Sequence, residues 1–182
     1  SVITCALALA IATPFSLATA IFMTEISPEL GKRFVQPAVE IFVGIPSVVY
    51  GWIGLTILVP LIKNIFNLRF GFSVLAAGIV LAVMIFPTIT SLAADALRSI
   101  PKSYRAASYG LGATRWQTIA KVVVPAAVTG LMTAVILGLA RAFGEALAVA
   151  MVIGKMRAFP TSLLSPTNNL TAAIAADMGG AM

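Results

Sequence analysis

No histidine occurs among the 182 residues, there is a single cysteine, and only 10% of the chain is charged. Without imidazole, the usual histidine metal sites and histidine-based catalytic triads are excluded. One cysteine, Cys5, excludes an intrachain disulfide. There is no HExxH, GxSxG or GxxxxGK[ST] stretch and no pair of carboxylates in an apolar run, so the chain has no constellation for catalysis and no phosphate-cradling loop of its own. What is abundant is apolar: 60% of residues are hydrophobic and the mean hydropathy is +1.04, far from a soluble domain and typical of a protein embedded in lipid. Of the charged residues, 12 are Lys or Arg and 6 are Asp or Glu. In a membrane protein such an excess marks cytoplasmic loops before it suggests nucleic acid, and no nucleic-acid partner is expected.

The run from Ser1 to Thr24 contains no charge. At 1.5 Å per residue it reaches about 36 Å, enough to cross a hydrocarbon core of about 30 Å. It lacks a leading Met and a basic n-region, so it reads as a true span rather than a secretory signal, in a fragment without its terminal spans. Hydropathy and punctuation predict an all-α, polytopic helical bundle with spans at about 1–24, 35–62, 72–94 and 122–153, the second interrupted by Pro37, Pro46 and Pro60. Residues 155–182 are predicted to form an outer loop, with turn signals at Pro160, Pro166 and Asn168-Asn169, followed by a short amphipathic helix, "LTAAIAADMGGAM".

The segment 95–121 carries Arg98, Lys102, Arg105, Arg115 and Lys121 against one acid, Asp95. It is the strongest cytoplasmic candidate. The Glu25 to Gln36 loop, with Lys32 and Arg33, then falls on the same side. The two outer loops hold Lys63 and Arg69, and Lys155 and Arg157, so the charge rule favours this orientation by five to two. Gly110 and Gly112 divide the basic segment into helix, turn and helix leading to Pro125, an elbow suited to entering a cleft on a partner. The plainer alternative is an interfacial loop anchored by Trp116 and by basic side chains reaching for water.

Gly112 followed thirteen residues later by Pro125, with a small-residue triplet six residues before Gly112, resembles the EAA loop of ABC importer permeases. Where that family has Glu-Ala-Ala, this chain has Ala106, Ala107 and Ser108, so the acid is missing. "VGIPSVVYGWIGL" (Val43 to Leu55) and "ARAFGEALAVAMVIG" (Ala140 to Gly154) resemble permease subunits of phosphate-specific ABC importers, the second more like the C-type subunit. The resemblance implies a multi-pass protein of the bacterial inner membrane that imports phosphate. It also implies a second permease subunit, a cytoplasmic ATPase dimer that binds the ATP and Mg, and an external phosphate-binding protein. No cofactor is expected on this chain. Coupling to the ATPase would fall to Ala106, Ala107, Ser108, Gly112, Arg115 and Pro125.

Pro46 removes a backbone donor and disfavours helix at Ile45, so the second span should bend there, with Ser47 beside the break as a candidate for the substrate path or for repairing the hydrogen bonding. On the fourth span Ala134, Gly138, Ala142, Ala146 and Ala150 recur every fourth residue, a face that lets another helix approach closely, within the subunit or from another. Arg141 and Glu145, an i, i+4 pair, can meet on one helix face. If the helix is continuous, they lie roughly 20 and 14 Å from its outer end. They either neutralise each other, or Arg141 offers its forked donors to a tetrahedral oxyanion while Glu145 holds it or takes a proton from the hydrogen-bearing anion. Other oxyanions such as sulfate or molybdate, or an ion-coupled secondary transporter, are the competing readings.

Overall fold

The computed structural model describes residues 1–67, 71–154 and 162–180. Arg69, Lys155, Arg157 and Pro160, which enter the charge and turn arguments above, lie outside the described residues. Within them the regular structure is helical, apart from one isolated bridge between Gly154 and Thr167. In order, the helices are α1 (Val2–Ile21), α2 (Pro28–Leu30), α3 (Gln36–Gly44), α4 (Ser47–Ile53), α5 (Val59–Ile65), α6 (Val74–Arg98), α7 (Lys102–Gly110), α8 (Arg115–Thr118), α9 (Val124–Ala126), α10 (Val128–Gly144), α11 (Leu147–Val152) and α12 (Leu170–Gly180).

Four wide, π-helical turns join several of these. In Gly31–Val35, Gly54–Leu58 and Ile119–Val123 the turn is closed by the N–H of the next residue, Gln36, Val59 or Val124, donating to the carbonyl five residues back. The residue after each donor is a proline: Pro37, Pro60 and Pro125. A helical proline lacks an N–H and its ring presses on the carbonyl four residues earlier. Taking one extra residue into the preceding turn moves that carbonyl aside, so the helix continues through the proline. The fourth wide turn, Phe22–Ile26, is closed by Ser27 N–H on the Phe22 carbonyl at 2.9 Å and precedes Pro28.

Three stretches are long and apolar enough to cross a membrane, Val2–Ile26, Ser47–Ile65 and Val74–Arg98, and a fourth is formed if Arg115–Ala126 and Val128–Gly144 are taken together. The boundaries differ from the sequence reading in instructive ways. The expected span 35–62 is cut at Ile45 and Pro46: Pro46 adopts φ −58°, ψ 139°, and its ring leaves Ile45 no room for helix. The 25–36 segment is helical rather than a loop, because its polar residues are carried on α2 and two wide turns. The expected span 122–153 is not one helix. It bends by 67° between Ala126 and Val128 and stops at Gly144, with Glu145 and Ala146 between it and α11. The terminal helix α12 forms, but it is not amphipathic: Leu170, Ile174 and Met178 recur every fourth residue, Asp177 falls on the same side, and alanines fill most of the rest.

The chain divides into two compact units. Unit 1 comprises 1–12, 44–85 and 139–182. In it α4 packs against α11, and Gly51 faces Ala148: a Cβ on Gly51 would lie 2.8 Å from the Ala148 Cα, so only glycine allows the approach. Cys5, Ala8, Tyr50, Leu81, Met84, Val149 and Val152 fill its interior. Unit 2 comprises 13–43 and 86–138. There Gly138 packs on Ile89 and Gly130 on Ala96, which gives the small-residue face of α10 an intrachain partner. The Phe86 carbonyl, next to Pro87, accepts both the Ser16 hydroxyl at 3.1 Å and the Thr90 hydroxyl at 2.8 Å, tying α1 to α6.

Candidate functional site

The residues singled out from sequence fall into two groups. Pro46, Ser47, Arg141 and Glu145 lie in unit 1, whereas Ala106, Ala107, Ser108, Gly112, Arg115 and Pro125 lie in unit 2.

In unit 1, Pro46 is the residue before α4 and Ser47 its first helical residue, with the Pro46 carbonyl accepting Val49 N–H at 3.0 Å. The two signature stretches meet in space, since α4 belongs to "VGIPSVVYGWIGL" and α11 to "ARAFGEALAVAMVIG". Arg141 sits in the last turn of α10, half-buried. Glu145 lies beyond the end of that helix, so the assumption of a continuous helix that placed the pair on one face fails. Gly144, with no side chain to restrain it, is the last helical residue, and the chain turns there. Glu145 acts instead as a bracket. Its Oε1 accepts the Ala148 N–H at 3.1 Å, satisfying one of the otherwise unpaired amides at the start of α11. Its backbone carbonyl accepts the Thr171 hydroxyl at 2.9 Å, holding α12 in place.

In unit 2, α7 and α8 form the elbow. Pro101, at φ −56° and ψ 141°, starts α7. Gly110 is still helical, and the turn is made at Gly112, whose φ of +78° is left-handed backbone that glycine adopts without a Cβ penalty. Thr114 caps α8: its hydroxyl accepts Gln117 N–H at 3.3 Å, and the Gln117 side chain accepts Thr114 N–H at 2.9 Å. Ala106 and Ala107 are exposed on α7, while Ser108 is buried and its hydroxyl pairs with that of Thr118 at 2.9 Å across the elbow. Leu111 and Trp116 project outward, 90% and 68% exposed. Pro125 lies in α9, just before the bend at Ala127.

The sequence reading missed what holds the elbow down. Arg105 on α7 donates from Nε to Glu25 Oε2 at 3.1 Å, and its Nη2 donates to Glu25 Oε1. The same guanidinium donates to the carbonyls of Ile100 at 2.9 Å and Leu97 at 3.1 Å. The hydrogen bonding to Glu25 raises the Arg105 pKa above its ordinary value, against the opposing effect of burial. Arg115 on α8 donates to the carbonyl of Glu25 and, at 2.9 Å, to that of Ile26. Arg115 thus caps the carbonyl end of the first span, as a cation at a helix C-terminus does. A further link, Arg98 to Gln36 Oε1 at 3.0 Å, joins the end of α6 to the start of α3.

Residues 6–176 match the family described as binding-protein-dependent transport system inner membrane component. Among curated proteins, the chain is 61% identical to the probable ABC transporter permease protein YqgH of Bacillus subtilis (strain 168), with 93% of this chain and 55% of the relative covered. It is 40% identical to the phosphate transport system permease protein PstC of Haemophilus influenzae, with 96% of this chain and 62% of the relative covered. To the protein of the same name from Mesorhizobium japonicum it is 37% identical, covering 96% of this chain and 59% of the relative. The chain therefore spans between half and two thirds of the length of these relatives. By the match over nearly its whole length, the chain belongs to the family of inner membrane components of binding-protein-dependent transport systems.

Proposed function

We propose that this chain is the core of a permease subunit of an ATP-driven inorganic phosphate importer, of the C type, non-catalytic itself and working with a second permease subunit. An external phosphate-binding protein delivers the anion, and a cytoplasmic ATPase dimer binds ATP and Mg. The observation that carries the reading is the elbow: two helices joined at Gly112, presenting Leu111 and Trp116 to solvent while both arms are bonded to the end of the first span. Such a surface has the shape to receive a partner's motion. The phosphate transport names of the relatives supply the substrate. In the path, Arg141 is the residue that contacts phosphate, because a planar guanidinium binds two oxygens of a tetrahedral oxyanion at once. Glu145, bonded to α11 and α12, shapes the break behind Arg141.

The test is reconstitution of the full-length protein with its partner subunits in vesicles. ATP hydrolysis stimulated by phosphate-loaded binding protein, with phosphate uptake, is the expected result. Uptake that proceeds without any ATPase would overturn the class of transporter. Stimulation by sulfate or molybdate instead of phosphate would reassign the substrate.

A further inference from the structure

The elbow is acid-free: no Asp or Glu occurs between Ala96 and Gly144. Yet two of its basic residues, one on each arm, converge on a single dipeptide 80 to 90 positions earlier in the chain, Glu25-Ile26. Arg105 is the more enclosed of the two. Its side chain is 21% exposed and that of Glu25 is 9%, and the guanidinium is bonded to both carboxylate oxygens of Glu25 and to the carbonyls of Leu97 and Ile100. A surface ion pair contributes little because water screens it and its side chains roam. This one is bidentate, sheltered and anchored on three segments at once: the end of the first span, the end of α6 and the arm α7.

From this geometry we infer that Arg105 and Glu25 are positioning residues that form the transmission joint of the permease. In this role, the pair makes the elbow move as one body with the ends of α1 and α6, so that displacement of the elbow by an ATPase is delivered to those helices and not lost in bending at Pro101. The inference rests on the reading of the elbow as an ATPase docking surface. Glu25 supplies from the first span the acid that the elbow itself lacks. Arg115, bonded to backbone carbonyls of the same dipeptide and, among the described residues, to no carboxylate, aligns the second arm. The Ser108 to Thr118 hydroxyl pair keeps the two arms together while the load is carried.

The experiment uses the full-length protein in the complete transporter, reconstituted in vesicles, and reads three quantities: ATPase retained on purification, ATP hydrolysed, and phosphate imported per ATP. Glu25→Gln keeps size and oxygen while removing the charge, and Arg105→Lys keeps the charge while removing the fork. Both are expected to retain the ATPase and to hydrolyse ATP, with phosphate imported per ATP falling about tenfold in Glu25→Gln and severalfold in Arg105→Lys. A pair that only braces the fold would lower yield or melting temperature and leave that ratio unchanged, and an unchanged ratio overturns the joint. Loss of the ATPase from either variant also overturns it, by assigning the pair to docking. If Glu25→Gln does not fold, Glu25→Asp, which withdraws the carboxylate by one methylene, carries the same test with a severalfold fall expected. Failure of the unmodified protein to retain any ATPase would instead overturn the docking reading, and the joint with it.

Discussion

Glu145 makes its two bonds with different parts of itself, the carboxylate on Ala148 and the backbone carbonyl on Thr171. Only the first is open to side-chain substitution. Glu145→Gln keeps an acceptor for Ala148 N–H and should leave the apparent melting temperature in detergent nearly unchanged. Glu145→Ala leaves that amide unpaired, at a cost of about 1 kcal/mol, and should lower it. Arg141→Lys retains the charge but loses the planar fork, so phosphate uptake should fall roughly tenfold, equivalent to about 1.4 kcal/mol, with subunit assembly intact. Uptake at the normal rate in that variant would remove Arg141 from the path. Gly51→Ala places a methyl against the Ala148 backbone, and the forced separation of α4 and α11 should cost about 1–3 kcal/mol in the same melting measurement.

At the scale of elements, the elbow depends on its turn and its cap. Gly112→Ala asks a residue with a Cβ to hold φ +78°, a strain of about 1–2 kcal/mol. Thr114→Ala removes the cap of a helix only four residues long, for a cost of about 1 kcal/mol. Hydrogen exchange at the amides of α8 and the following wide turn should accelerate in both variants, and unchanged protection would mean that tertiary contacts alone hold the arm. Much of this element was legible in sequence. Gly110, Gly112 and Pro125 lie within one 16-residue stretch, where local rules operate. The partner of Arg105 was not legible, because Glu25 is 80 residues away and no periodicity links the two positions. The same limit explains Glu145: hydropathy suggested one span through 122–153, while the stop at Gly144 depends on what Glu145 finds to bond in α11 and α12.

For the molecule as a whole, the exposed surface is itself apolar. Phe15, Trp52, Ile57, Ile65, Met132 and Ile136 are each more than half exposed, as expected of side chains that meet lipid or another helix in place of water. Ile136→Arg should therefore impair insertion by about 2.5–3.5 kcal/mol, measurable as the fraction of chains integrated into membranes in a translation assay. Integration at the normal level would place Ile136 against a polar cavity or a water-filled interface. The helical class followed from composition and run length alone. The break at Pro46 also followed from the proline, whereas the bend at Ala127 and the stop at Gly144 did not; at the wide turns the extra residue lets the helix run on past its proline. That arrangement has a consequence for editing the chain's length. Deleting one residue from an ordinary helix swings everything beyond it by about 100° and turns its buried face outward. A wide turn already contains the spare residue. Removing Leu58 together with Pro60→Ala should close Gly54–Leu58 into a normal turn with α5 still facing the same neighbours, whereas deleting Ala77 from α6 should abolish membrane expression.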